Sequence, residues 1–109
     1  MSITKNATKT GTKSRVTFKL STEKAGDFNA RRVVVVGDFC DWKVEQGKEM
    51  SILKDGSFSA TITLDAGKSY QFKYVVNPGE SDCRWENDER PDNWVTDSNG
   101  NSNSLVVID

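Results

Sequence analysis

The sequence predicts an all-β, immunoglobulin-like antiparallel sandwich, and three observations carry that prediction. Apolar and polar residues alternate with a period of two in run after run, no segment shows a convincing helical stripe, and turn residues break the runs at short intervals. Six or seven such strands within a chain of 109 residues fit one sandwich domain with one modest core.

Taken in order, "RVTFKL" puts Val16, Phe18 and Leu20 on one face and Arg15, Thr17 and Lys19 on the other. "RRVVVV" has four apolar residues in succession, Val33 to Val36, and reads as a strand buried on both sides or at a sheet crossing. "FSATITL" alternates Phe58, Ala60, Ile62 and Leu64 with Ser59, Thr61 and Thr63. "YQFKYVV" turns Tyr70, Phe72, Tyr74 and Val76 one way and Gln71, Lys73 and Val75 the other. "NSLVVI" supplies the last strand. "KDG" at 54–56 and "AGK" at 66–68 stand where hairpins should reverse, and "NPGE" at 77–80 opens a long polar excursion. The irregular stretch of about 77–102 is where function is expected.

Composition excludes several classes of function. Hydrophobic residues make up 35% and charged residues 28%, as in a small soluble globule, and no run approaches the ~18 apolar residues of a membrane span. Net charge is −1, with Lys5, Lys9, Lys13, Arg15 and Lys19 unopposed at the start and seven acids in 80–97. Residues 1–13 read as a flexible basic leader and 14–109 as the single domain. The leader lacks the apolar core of a secretory signal, which favours a cytoplasmic protein. The chain has no histidine, and with it goes the usual base of serine or cysteine nucleophiles. Cys40 and Cys83 are too few for a structural zinc site and are expected as thiols in a cytosolic setting. No cofactor or metal is expected, nor a nucleic-acid or membrane partner. Asp88, Glu89 and Asp92 nominally offer the paired carboxylates of a glycosidase, and Asp82, Asp88 and Asp92 the oxygens of a calcium site. A mobile loop holds such geometry poorly and the spacing matches no calcium loop, so these acids read as a solvated loop and the chain as no enzyme.

The tryptophans stand apart from the alternating runs, in "DWK", "RWEN" and "DNWV". Trp94, followed by Val95, is expected to fold back over the open end of the sandwich, since burial is the default for a large aromatic. Trp42 and Trp85 are the candidates for a ligand face. An indole is a rigid apolar plate with a negative π face, suited to the C–H face of a pyranose ring. Lys73 projects from the outer face of its strand, and with the asparagines of "DSNGNSNS" would orient the hydroxyl edge.

The run "VVVVGDFCDWK", Met50, "DGSFSATITLDAGKSYQFKYVV", "WENDERPDN" and "NGNSNSLVVID" resembles carbohydrate-binding module family 48 over about residues 30–109. That family comprises the early-set domain of isoamylases and glycogen-branching enzymes and the glycogen-binding domain of the AMP-activated protein kinase beta subunit. The resemblance implies non-catalytic binding of α-1,4-glucan, glycogen- or starch-like. The two stacking tryptophans fall on Trp42 and Trp85, the strand lysine on Lys73 and the asparagine before the last strand on Asn103. A leucine that slips between glucose units in the kinase-type domain is replaced by Asn99, a departure that points to lower affinity. The loop at 77–94 is longer and more acidic than in the kinase type. The alternative reading is a protein-interaction module that docks on a glucan-metabolising enzyme or kinase, with the tryptophans as interface anchors.

Overall fold

The structure, a computed structural model, describes residues 3–109. It has ten strands: β1 (Ile3–Ala7), β2 (Lys13–Leu20), β3 (Val33–Gly37), β4 (Lys48–Glu49), β5 (Ser51–Ile52), β6 (Phe58–Asp65), β7 (Lys68–Val76), β8 (Arg84–Glu86), β9 (Asn93–Thr96) and β10 (Ser102–Ile108). One helix, α1 (Thr22–Asp27), follows β2. The strands form two antiparallel sheets packed as a sandwich, as the alternation predicts. The first has the order β1-β2-β6-β5; the second runs β4-β3-β7-β10-β9, with β8 also paired to β7. Phe18, Phe58, Phe72, Tyr74, Val16 and Ile108 are buried between them.

The valine run is buried on both sides. Val33 and Val35 join the main core, while Val34 and Val36 join a smaller cluster with Cys40 and Val75 on the outer face of the second sheet. That outer cluster is covered by the chain that follows β3, through two short 3-10 turns at Asp38–Cys40 and Val44–Gln46. Gly47 lies flat on β3: a Cβ there would stand 2.6 Å from Val34 Cγ1 and 2.7 Å from the Val35 carbonyl oxygen. A side chain would lift the loop from the valines it covers.

Four differences from the sequence reading have identifiable causes. Residues 3–7, expected in a flexible leader, form β1, paired with β2 from Ile3 opposite Phe18 to Ala7 opposite Ser14. Ile3 packs on the core, and Lys5 pairs with Asp92 at 2.6 Å. One apolar anchor among polar residues is too weak a pattern to read without its partner strand; residues 1–2 of that leader lie outside the described part. Second, "AGK" makes no hairpin: it carries the chain from β6 in one sheet to β7 in the other. Its amides are taken by neighbours, Ala66 N–H by Thr12 O (3.0 Å) and Gly67 N–H by Ile108 O (2.7 Å). Third, α1 is capped by Ser21, whose Oγ accepts from Lys24 N–H at 3.2 Å, and buries only Ala25. Six residues are too few to show a helical stripe. Fourth, the stretch of 77–102 contains β8 and β9. Among the described residues no helix is long and apolar enough to cross a membrane.

Candidate functional site

The outer face of the second sheet is built from the odd residues of β7. Gln71, Lys73 and Val75 point away from the core because Phe72, Tyr74 and Val76 point into it. Residues directly opposite in an antiparallel pair share a face. Val36, opposite Lys73, Val34, opposite Val75, and Leu105, opposite Gln71, therefore lie on the outer side too.

Trp42 sits at one side of this face. Its ring is half-buried and packs against the cluster of Val34, Val36, Cys40 and Val75. Two consecutive non-glycine residues, Asp41 (φ 54°) and Trp42 (φ 61°), adopt the left-handed region to bring it there, an uncommon conformation that tertiary contacts must hold. Those contacts are explicit. Trp42 N–H donates to Gly37 O at 3.0 Å, and the indole Nε1–H donates to Asp38 Oδ1 at 3.0 Å. Asp38 Oδ2 accepts from Gln71 N–H at 2.7 Å, the next amide of β7 beyond the last paired residues, Gly37 and Phe72. One carboxyl group thus ties the indole to the central strand of the sheet.

Trp85 stands on β8 directly opposite Val75, and is 44% exposed. By that register it shares the outer side with Val75. Its strand is anchored by a buried polar group just after it. Tyr74 Oη–H donates to Asp88 Oδ2, Asp88 N–H donates to Ser104 Oγ (2.9 Å), and Ser104 Oγ–H donates to Asn87 Oδ1 (2.9 Å). Arg90 N–H donates to Asp88 Oδ1 at 2.8 Å, and Asn87 Nδ2–H to Ser102 O at 2.9 Å. Burial, then the nearby Asp88 carboxyl, pushes the Tyr74 phenol well above its ordinary pKa.

Of the other predicted residues, Lys73 is half-buried between Gln71 and Val75 on the face just described. Asn103, on β10, donates Nδ2–H to Gln71 Oε1 at 3.0 Å. Asn99 is not brought to these strands. It lies in the turn between β9 and β10, where Asp97 Oδ1 accepts from Asn99 N–H (2.9 Å) and Asn101 N–H (3.0 Å). Sequence reasoning missed Asp38 and Gln71. The signals were the four-residue spacing from Asp38 to Trp42 in "GDFCDW", and the phase that Gln71 shares with Lys73.

The acidic stretch differs from a solvated loop. Asp88 is 2% exposed and fully engaged with Tyr74 and Arg90. Asp82 pairs with Arg31 at 2.8 Å, and Asp92 pairs with Lys5 and accepts from Val107 N–H. The three therefore serve separate structural contacts, and among the described residues no three metal-ligating side chains cluster. Trp94, expected to close the end of the sandwich, is 47% exposed. It sits on the edge strand β9 opposite Ser104, which in turn lies opposite Phe72, so by register it is on the inner side of the second sheet but at its margin.

The sandwich thus presents an open, aromatic-flanked sheet face. Residues 13–106, nearly the whole of it from β2 into β10, match the family model described as starch binding domain, CBM_20. The match places the chain among the non-catalytic carbohydrate-binding modules. More narrowly, the chain belongs to the starch binding domain family. The resemblance to family 48 accordingly holds at the level of a carbohydrate-binding module and not specifically of that family.

Proposed function

We propose that the chain binds α-1,4-linked glucan without cleaving it, on the outer face of the second sheet. Trp42 and Trp85 offer plates to successive glucose units, and Lys73 and Asn103 contact hydroxyls, with Asp38 and Gln71 holding Trp42 and Asn103 in position. The observation that supports this best is the disposition of the tryptophans about Val75: Trp42 packs on its cluster and Trp85 stands opposite it. The family 48 resemblance assigns the same residues, and the starch binding domain match supports the ligand class. Asn99 contributes at most from the neighbouring turn. A cytoplasmic location is part of the same proposal.

A shallow face with two plates leaves a small surplus after ordering costs, so the affinity is micromolar to millimolar. Titration with maltoheptaose, followed by tryptophan fluorescence, tests the reading. Trp42→Ala should weaken binding about tenfold or more, since a few aromatic anchors carry most of the energy of a contact. No response at millimolar sugar, or an unchanged response in Trp42→Ala, would sink the proposal. A partner enzyme captured equally well after amylase treatment would favour the protein-docking alternative.

A further inference from the structure

Beyond the outer face, the second exposed tryptophan pair frames a cleft that the reading above does not use. Trp85 and Trp94 both line it, with Lys24 and Phe28 from the α1 side and Glu86 and Glu89 from the stretch after Trp85. Its volume is about 250 Å³, below the ~300–1,000 Å³ of pockets that enclose drug-sized ligands. It suits one small ring, not a folded partner. The walls are fixed. Asp88 at its floor is locked to Tyr74, Arg84 stacks over Phe28 at 4.5 Å and ties α1 to β8, and Ser21 Oγ–H donates to Glu89 Oε1 at 3.1 Å.

We infer that this cleft is an end subsite, which receives a further glucose unit of a chain already lying on the outer face. The inference rests on the glucan reading and on one juxtaposition: Trp85 belongs both to the outer side, opposite Val75, and to the cleft wall. A glucan that reaches Trp85 is therefore at the cleft's edge, and on rounding the edge of the sheet it meets a third indole, Trp94, which is exposed and by its register opposite Ser104 lies on the other side of that sheet. The chemistry of the lining fits a sugar. An indole takes the C–H face of a pyranose. The carboxylates of Glu86 and Glu89 accept hydroxyl hydrogens, and the Lys24 ammonium donates to hydroxyl oxygens. The closed α1–β8 contact ends the path there, so the subsite serves longer chains and adds nothing for short ones.

The indole N–H signals of Trp42, Trp85 and Trp94 in a ¹H–¹⁵N spectrum of the wild-type chain read this directly. With maltotriose, Trp42 and Trp85 should shift and Trp94 stay; with maltoheptaose all three should shift. Trp94→Ala should then weaken maltoheptaose binding roughly three- to tenfold, with maltotriose affinity unchanged. If Trp42 and Trp85 shift with maltoheptaose and Trp94 does not, the subsite is refuted and the outer face survives. If Trp94 shifts equally with both sugars, or Trp94→Ala weakens both equally, the cleft is no extension for long chains. If no indole signal moves, the glucan reading itself falls. The wild-type spectra decide the matter even where Trp94→Ala fails to fold.

Discussion

Two aromatic side chains in this molecule donate their one polar hydrogen to an aspartate, and the two pairs do opposite work. Tyr74 donates to Asp88 in the interior, where phenol and carboxyl are almost completely hidden from water. Trp42 donates to Asp38 at the surface, where the carboxyl is exposed and the indole keeps part of its area open. Inside, the bond is part of the structure's integrity, because either group left alone would be a desolvated polar atom. Outside, water stands ready to replace either partner, so the bond contributes little stability. It fixes the tilt of a plate. The same chemistry builds the fold at one place and aims a side chain at the other, and only solvent access separates the two.

The largest test of that contrast is Asp88→Ala. It leaves the Tyr74 hydroxyl and the Arg90 amide short of an acceptor and should cost about 2–4 kcal/mol in urea unfolding; a loss below about 1 kcal/mol would erase the distinction. Tyr74→Phe should cost about 1–2 kcal/mol and also change the alkaline limb. The folded phenol's pKa lies above that of the unfolded chain. The native state therefore holds a proton that the unfolded state gives up. The stability from this group is whole below about pH 10 and is lost as pH rises beyond it. Urea midpoints between pH 8 and 11 should fall more steeply for wild type than for Tyr74→Phe.

Asp38→Ala should reverse the pattern: stability within about 1 kcal/mol of wild type, and maltoheptaose affinity lower by roughly three- to tenfold, as the ring gains freedom. Asp38→Asn keeps one acceptor oxygen and should fall between. An Asp38→Ala chain that loses stability and keeps affinity would show that the two pairs do the same job. The smallest effect expected is at Asn103→Ala, about two- to threefold in affinity, because one of the two Nδ2 hydrogens is already engaged with Gln71, leaving the other and the carbonyl oxygen for sugar.

The long strands were legible because they are written in a local code. In β2 and in β7 every second residue faces the core, so side-chain phase alone told Lys73 from Phe72. The valine run was legible for its lack of alternation, which requires cover on both faces. The failures share a cause as well. β1 offers one apolar anchor, Ile3, and becomes a strand only by pairing with β2. "AGK" has the residues of a hairpin turn, yet it joins two sheets, since a turn's composition does not say which strands its flanks will meet. Asp88 looked like one solvated acid among seven; its neighbours are Tyr74, fourteen residues earlier, and Ser104, sixteen later.

By itself, then, the sequence determined that this is a β-sandwich, which side of each long strand faces inward, and which residue types could meet a sugar. Periodicity and side-chain chemistry are properties of neighbours along the chain, and need no partner to be read. Only the tertiary structure decided that the Asp38 carboxyl holding Trp42 would be anchored to Gln71, that Trp85 would stand opposite Val75, and that Trp94 would remain exposed. Each of these depends on register between strands distant in sequence. A slip of one residue there would turn every such side chain to the other face.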